Sequence, residues 1–124
     1  MDENEIYTAI GEAGFTRLAA AFYRQIAGDD ILGPMYPSAD LAGAEARLRD
    51  FLMFRFGGST RYMEQRGHPR LRMRHAPFPV DQQARDRWLQ LMRKAMGEAD
   101  LPEDAAKTLD TFFESTSTFL INRA

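Results

Sequence analysis

Residues 64–78 read EQRGHPRLRMRHAPF and contain both histidines of the chain. They belong to a longer segment, 59–80, that is rich in arginine, glycine and proline and shows no sustained helical period. A segment of this length without its own periodicity is seldom an idle connector, so we predict a functional loop with short helical pieces. His75 lies near the end of this loop, whereas His68 is wedged between Gly67 and Pro69.

Amphipathic helices are predicted on both sides of this loop, because apolar residues recur there at three- and four-residue steps. The first helix is predicted over Phe15–Ile26 and the second over about Leu41–Phe56. Asp81 is the predicted N-cap of a third helix, and the acidic stretch 100–104 starts a fourth. No strand-like alternation of useful length is evident, so the sequence predicts an all-α fold. The inward-facing residues of the four helices are Phe15, Leu18, Ala19, Phe22 and Ile26; Ala44, Leu48, Phe51 and Leu52; Trp88, Met92, Ala95 and Met96; and Ala106, Leu109, Phe113, Thr116 and Leu120.

Length and composition favour a single globular domain, 1–124. A chain of 124 residues can enclose one core but is too short for two independent ones. Hydrophobic residues make up 44% and charged residues 27%, a balance that disfavours a disordered or membrane-spanning protein. Residues 1–5, MDENE, are acidic and lack an apolar segment, so we expect no secretory signal, no transit peptide and no membrane association. A cytoplasmic location is the corresponding default expectation.

The absence of cysteine from the sequence removes several kinds of chemistry. Disulfides, iron–sulfur clusters, thiolate-ligated haem and covalent haem attachment all need cysteine, as does a cysteine nucleophile. With only two histidines, a tetrahedral zinc site would need carboxylates for its remaining ligands. The sequence therefore disfavours a zinc enzyme.

The positive charge of the chain is concentrated in one segment. Between residues 47 and 74 there are eight arginines against two acids, Asp50 and Glu64, although the net charge is −2. Guanidinium groups match the geometry of phosphates, nucleic acids and ligand carboxylates. A solvated charged face is an equally good interpretation of such a segment. The eight are Arg47, Arg49, Arg55, Arg61, Arg66, Arg70, Arg72 and Arg74.

Aromatic and methionine stripes at helical spacing usually belong to a core, so a simple helical bundle is the default interpretation of each stripe alone. The combination of features points further: an isolated loop histidine, phenol and indole groups on apolar faces, and arginines beside the histidine. Haem requires such a set, namely one imidazole for iron, a flat apolar slot, cations for two propionates and hydrogen-bond donors on the open side. The sequence therefore favours a haem protein.

Residues 64–78 resemble the signature around the proximal histidine of group II truncated haemoglobins. Four other features agree: Phe22-Tyr23, Met35-Tyr36-Pro37, Gly57-Gly58 and Trp88 at the right distance beyond the histidine. The resemblance extends from about residue 7 to residue 120. It implies a truncated-globin fold, a two-over-two helical sandwich around haem b. The chain departs from the family where a Gly-Gly pair is often seen in the first helical corner, since it has Gly11-Glu12-Ala13-Gly14 there.

The resemblance also implies roles for residues on both sides of the haem. His75 would be the proximal iron ligand. Tyr23 and Tyr36 would be distal phenols, and Trp88 an indole donor to the bound ligand. Ala44 would stand where many other globins carry a distal histidine. If His75 binds iron and His68 lies in the loop, phenols and indole are the obvious donors left for oxygen.

The same resemblance assigns contacts to the haem periphery. Arg47 and Arg74 match positions where this family commonly pairs the haem propionates, and Tyr62 matches a further propionate contact. His68 is interpreted as a loop histidine that is not an iron ligand. We expect the walls of the haem slot to come from residues on the inward stripes or beside His75. These are Leu48, Phe51, Leu52, Leu71, Met73, Phe78 and Met92.

The predicted ligands are O2, CO, NO and other small haem ligands, and three functions remain open: oxygen storage or delivery, oxidation of nitric oxide, and peroxidase-type chemistry. Several donors around bound oxygen would slow its release, which favours redox chemistry or sensing over bulk transport. We expect multi-turnover redox chemistry to need a separate reductase, and a homodimer stays open. The alternative from another class is a haem-free helical module that binds nucleic acid or a protein through its arginines. Lysine is scarce and aromatics do not interleave with the arginines, so we expect no nucleic acid.

Overall fold

Six α-helices build residues 1–123, the part of the chain that the computed structural model describes, and no strand occurs among these residues. Short 3₁₀ turns lie at Glu3–Glu5, Gly33–Met35 and Ser38–Asp40. The all-α prediction is confirmed, and the predicted loop contains two of the helices. In chain order the helices are α1 (Ile6–Ile26), α2 (Leu41–Arg55), α3 (Arg61–Arg66), α4 (Leu71–His75), α5 (Gln82–Glu98) and α6 (Glu103–Phe119).

Helix α1 starts nine residues before the predicted Phe15, at Ile6, and is interrupted at Gly11. Gly11 has a φ of 63°, a left-handed conformation that glycine adopts without steric penalty. A β-carbon at Gly14 would lie 2.6 Å from that of Ile10, so the helix can pass this point only with glycine. The Gly11–Gly14 stretch therefore makes a corner by two separate means, one conformational and one steric.

The ends of α5 and α6 follow from their capping residues. Asp81 accepts a hydrogen bond from the Ala84 N–H at 2.8 Å, so the predicted N-cap of α5 is confirmed. The acidic stretch starts α6 as predicted, with Pro102 as the N-cap residue and Glu103 and Asp104 in the first turn. The buried face of α6 also differs slightly from the predicted stripe, because it is formed by Ala105, Leu109, Phe113 and Ser117.

The helices pack in two pairs, α1 with α2 and α5 with α6, and α1 also packs on α5. This is the two-over-two arrangement. Phe15, Phe22 and Phe113 are almost completely buried in the core that the pairs share. Removing side chains of this size from water stabilises the fold by about 1.5–3 kcal/mol each. None of the helices within residues 1–123 has the length and apolar character that spanning a bilayer requires.

The corner between α1 and α2 is tied to α5 through one carboxylate. Asp29 Oδ2 accepts hydrogen bonds from the Leu32 N–H at 2.8 Å and the Ile31 N–H at 3.1 Å. Its other oxygen, Oδ1, accepts from Arg87 at 2.6 Å, and the Asp29 side chain is only 7% exposed. Burial by itself would raise the pKa of Asp29, but the hydrogen bonds from Leu32, Arg87 and Ile31 hold this pKa below its ordinary value.

We expect Asp29→Asn to lower the free energy of unfolding at neutral pH and to lose this effect in acid. A carboxylate whose folded pKa is depressed contributes stability that is fully present above the unfolded pKa of about 3.9. That contribution disappears as the pH falls through the lower folded pKa. Urea unfolding of parent and variant from pH 7 to pH 3 should therefore give curves that converge below about pH 4. Asp30→Asn is the control, because the Asp30 side chain is 83% exposed although it also meets Arg87. A difference between parent and Asp29→Asn that persists unchanged at pH 3 would contradict this account.

Candidate functional site

A cavity of about 300 Å³ is lined by side chains from all six helices and from the corner before α2. Its lining is mainly apolar, with phenol, indole, imidazole and guanidinium groups at intervals. Ligand sites in proteins usually have this composition, an apolar wall with few polar groups. Of the residues singled out from sequence, the cavity brings together Tyr23, Tyr36, Ala44, Arg47, Leu48, Phe51, Leu52, Tyr62, Leu71, Arg74, His75, Phe78 and Trp88.

Two residues predicted to wall the haem slot do not line this cavity. Met73 is 60% exposed. It lies two residues before His75 on α4, roughly 200° around the helix axis, whereas Leu71 lies four residues before it and shares the side of His75. Met92 is fully buried, one turn beyond Trp88 on α5, and packs in the core instead. Membership of an inward stripe thus placed Met92 in the interior without placing it at the cavity.

His75 has a fixed ring orientation at the end of α4. Its Nδ1 lies 2.8 Å from the backbone oxygen of Leu71, one turn earlier. A carbonyl oxygen can only accept, so Nδ1 carries the hydrogen in this contact. Nε2 is left as the ring nitrogen that could coordinate a metal, and the carbonyl orients the ring as hydrogen-bond partners do for metal-binding histidines. His68 is exposed and does not line the cavity.

Three hydrogen-bond donors meet at another part of the cavity wall. The rings of Tyr23 and Tyr36 pack edge to face with centroids 5.5 Å apart. Trp88 packs against Phe22 on α1 and Phe113 on α6, each with a centroid distance of 5.5 Å. Ala44 is 6% exposed and presents only a methyl group to this region. A small side chain at that position leaves room for the phenols and the indole.

Both phenols stay protonated at neutral pH. Burial raises the pKa of Tyr36 to about 12, against the opposing effect of hydrogen-bonding interactions with Trp88 and Tyr23. Burial also raises the pKa of Tyr23, and the neighbouring Tyr36 adds to this shift. Neutral phenols retain an O–H to donate, and the Trp88 indole can only donate. This part of the wall therefore favours a ligand that accepts hydrogen bonds.

The arginines at the cavity differ in what they already bind. Arg74 donates to three backbone oxygens of the preceding loop, those of Pro69 at 2.6 Å, Arg66 at 2.7 Å and His68 at 3.2 Å. Arg47 makes only a long contact of 3.4 Å with Asp40. Arg74 thus fixes the loop that leads into α4, while most of the hydrogen-bonding capacity of Arg47 stays available. Tyr62 is 5% exposed, and its ring contacts Phe51 and Phe54.

Sequence reasoning missed several cavity residues, of which Arg85 is the most informative. It lies three residues before Trp88 on α5, a spacing that puts both on one face and could have identified it. Its Nε is buried and has no hydrogen-bond partner among residues 1–123. A carboxylate in the cavity would satisfy such a donor, and haem carries two. Other cavity residues that sequence reasoning did not name were Leu32, Val80, Ala84, Phe112 and Ser117.

The chain matches the model of the family described as bacterial-like globin over residues 5–121. It belongs to that family. The globin chain is 36% identical to the group 2 truncated haemoglobin YjbI of Bacillus subtilis, over 97% of this chain and 90% of that protein. Membership of this family makes the chain a haem-binding, oxygen-binding protein. The names of the chain's relatives confirm its resemblance to group II truncated haemoglobins.

Solved structures agree with this assignment. The crystal structure of the haemoglobin from Chloroflexus aurantiacus is similar with a TM-score of 0.91 and 44% identity, covering 95% of this globin and 98% of that chain. The truncated oxygen-avid haemoglobin from Bacillus subtilis is similar with a TM-score of 0.89 and 35% identity, covering 94% and 98%. The two-over-two globin fold is therefore shown, and the alternative of a haem-free helical module that binds nucleic acid or a protein through its arginines is not favoured.

We expect Arg74→Gln to loosen the loop between α3 and α4, because glutamine cannot reach the three backbone oxygens that the guanidinium holds. Amide hydrogens of residues 66–70, including the Gly67 N–H that bonds to Met63 at 2.8 Å, should exchange faster. Loss of about 1.4 kcal/mol of local stability, within the range for hydrogen bonds to charged groups, corresponds to tenfold faster exchange.

Hydrogen–deuterium exchange followed by mass spectrometry measures this change. Arg72→Gln is the matched control, because Arg72 donates at 2.9 Å to the Phe119 oxygen at the end of α6 and not to the loop. Equal exchange of the 66–70 region in both variants would contradict the role assigned to Arg74.

Proposed function

We propose that this chain holds haem b through His75 and binds O2, and also CO or NO, beside the hydrogen-bond donors Tyr23, Tyr36 and Trp88. One observation carries the proposal: the imidazole and all three donors line the same cavity. When bound, haem supplies an iron that takes a diatomic ligand. The chain itself orients the imidazole, excludes water and presents hydrogen-bond donors.

The proximal role of His75 is supported by its tautomer. The Leu71 carbonyl oxygen fixes the hydrogen on Nδ1 and leaves Nε2 to coordinate. A carbonyl raises the basicity of the ring less than a carboxylate does, and within residues 1–123 His75 makes no ion pair. This weakens the case for a dedicated peroxidase and supports ligand binding.

The distal role of the phenols and the indole is supported by their protonation and packing. With haem bound, the O–H and N–H groups of these fixed side chains would donate to a polar diatomic ligand without having to reorganise. Trp88 is fixed by rings of α1 and α6, and Tyr36 by Tyr23. Several fixed donors slow oxygen release. We therefore propose oxygen-linked redox chemistry or sensing, with electrons from a separate donor protein, and the oxygen-avid relative from Bacillus subtilis accords with slow release.

The haem periphery is proposed to contact Arg47, Tyr62 and Arg85. Arg47 has only a long contact with Asp40, and the Arg85 Nε is a buried donor without a partner in the described part of the chain. Arg74 remains a candidate for a propionate, although three backbone oxygens already occupy its guanidinium. Leu48, Phe51, Leu71 and Phe78 are proposed as apolar walls.

We expect His75→Gly to abolish stable haem retention, or to make it depend on added imidazole, because His68 is exposed and does not line the cavity. The measurement is the Soret absorbance that survives gel filtration, with and without imidazole. His68→Ala is the control and should leave the spectrum unchanged. An unchanged ferrous spectrum in His75→Gly would move the proximal role to another residue.

We expect Trp88→Phe to release oxygen about tenfold faster, because phenylalanine keeps an aromatic wall and removes the donor. A hydrogen bond to a charged group contributes about 1.5 kcal/mol, which corresponds to this factor. Stopped-flow release rates of oxygen and of carbon monoxide measure the effect, and the less polar carbon monoxide should change less. Equal changes for both gases would mean that Trp88 acts by its bulk. No change for either gas would mean that Trp88 is only a packing residue of the core.

A further inference from the structure

We propose that the ion pair between Asp29 and Arg87 is a positioning device for the distal donors. It holds the corner that carries Tyr36 against the helix that carries Trp88, and so sets how strongly the cavity retains oxygen. This inference rests on the proposed function of Trp88 and Tyr36 as donors. In this proposal Asp29 and Arg87 contact neither the ligand nor the haem, and they act only through Trp88 and Tyr36.

The geometry begins on α5, where Arg87 directly precedes Trp88. Adjacent residues of a helix point about 100° apart, so one side chain can reach the cavity while the other reaches the corner. Trp88 lines the cavity, and Arg87 Nη1 donates to Asp29 Oδ1 at 2.6 Å and to Asp30 at 3.0 Å. Because both residues belong to α5, the contact of Arg87 with Asp29 ties the turn that carries Trp88 to the corner.

On the other side, Asp29 passes the constraint along the backbone to Tyr36. Its second oxygen accepts from the Leu32 N–H at 2.8 Å, and the Leu32 carbonyl in turn accepts from the Met35 N–H at 2.9 Å. The Gly33 N–H donates to the Asp29 carbonyl at 3.0 Å, and the Gly33 carbonyl accepts from the Tyr36 N–H at 3.3 Å. One chain of hydrogen bonds thus runs from the Asp29 carboxylate to the backbone of Met35, and another runs from the Asp29 backbone carbonyl to the backbone of Tyr36.

Packing covers this corner only in part. No residue of the Gly33–Met35 turn is fully buried, and Tyr36 itself is only partly covered. The buried anchor of the segment is Leu32, which is 2% exposed and is the residue whose N–H the Asp29 carboxylate accepts. Hydrogen bonds weaken steeply with distance and angle, so small shifts of Tyr36 relative to Trp88 change what both can donate to one ligand.

The test compares two arginines of the same helix. Arg87→Gln breaks the pair with Asp29. Arg93→Gln is the matched control, because Arg93 makes a comparable set of contacts with Asp110 at 2.7 and 3.1 Å and with Glu114 at 3.0 Å, but these tie α5 to α6. Arg87→Lys keeps the positive charge but can make only a single contact. If Arg87→Gln does not fold, Arg87→Lys and Asp29→Asn test the proposal in its place.

The readouts are the release rates of oxygen and carbon monoxide and the indole N–H signal of the haem-loaded carbon monoxide form in a proton–nitrogen correlation spectrum. The chain has one tryptophan, so that signal reports on Trp88 alone. We expect Arg87→Gln to release oxygen between twofold and tenfold faster, with a smaller change for carbon monoxide and a shifted indole signal. Arg87→Lys should fall between Arg87→Gln and the parent, and Arg93→Gln should match the parent in both readouts.

The outcomes separate this inference from the function on which it rests. Parent-like oxygen release and indole signal in Arg87→Gln, while Trp88→Phe releases oxygen faster, would overturn the positioning role alone. Equal effects of Arg87→Gln and Arg93→Gln would also overturn it, since both would then act through general stability. Unchanged oxygen release in Trp88→Phe would overturn the donor role instead.

Discussion

The cavity between the helix pairs is the constraint on which the rest of this structure depends. Its mainly apolar walls line about 300 Å³ of space, and atoms that face an unfilled apolar space lose packing contacts. A ligand that fills this space supplies contacts that the chain cannot make with itself, and haem is the cofactor that the globin family implies. A ligand that binds only the folded state would stabilise the fold by mass action.

Aromatic rings are what keep the cavity open against collapse. Phe22 contacts both Tyr23 and Trp88, and Trp88 continues to Phe113, so one row of rings crosses from α1 through α5 to α6. Edge-to-face rings resist sliding because their geometry is specific. The same row that supports the fold also fixes the indole. Structure and ligand chemistry thus share residues at this site, and a substitution at Phe22 would disturb both.

Helical periodicity was enough to predict the four long helices, and the motif around His75 was enough to predict most of the cavity lining. Periodicity did not predict the direction in which individual side chains leave a helix. Met73 is adjacent to Arg74 and near His75 in sequence, yet the turn of α4 carries it to solvent. The start of α1 was missed because Gly11 interrupts the pattern of Ile6 and Ile10 with a left-handed residue. The contacts of Arg74 with backbone oxygens depend on how the loop folds back, which no local pattern records.

The arginine-rich segment 47–74 allowed several interpretations from sequence, and its contacts bear on them. Most of its guanidinium groups are engaged by the chain itself: Arg49 and Arg61 meet Asp50, Arg55 meets Glu3, and Arg72 and Arg74 donate to backbone oxygens. A nucleic-acid surface needs its cations free to replace counterions along a phosphate backbone, so this engagement argues against one. Among residues 1–123, Arg66 and Arg70 donate no side-chain hydrogen bond, and Arg66 lines the cavity. The charge that remains available is therefore concentrated at the cavity, where carboxylates of a bound group would meet it.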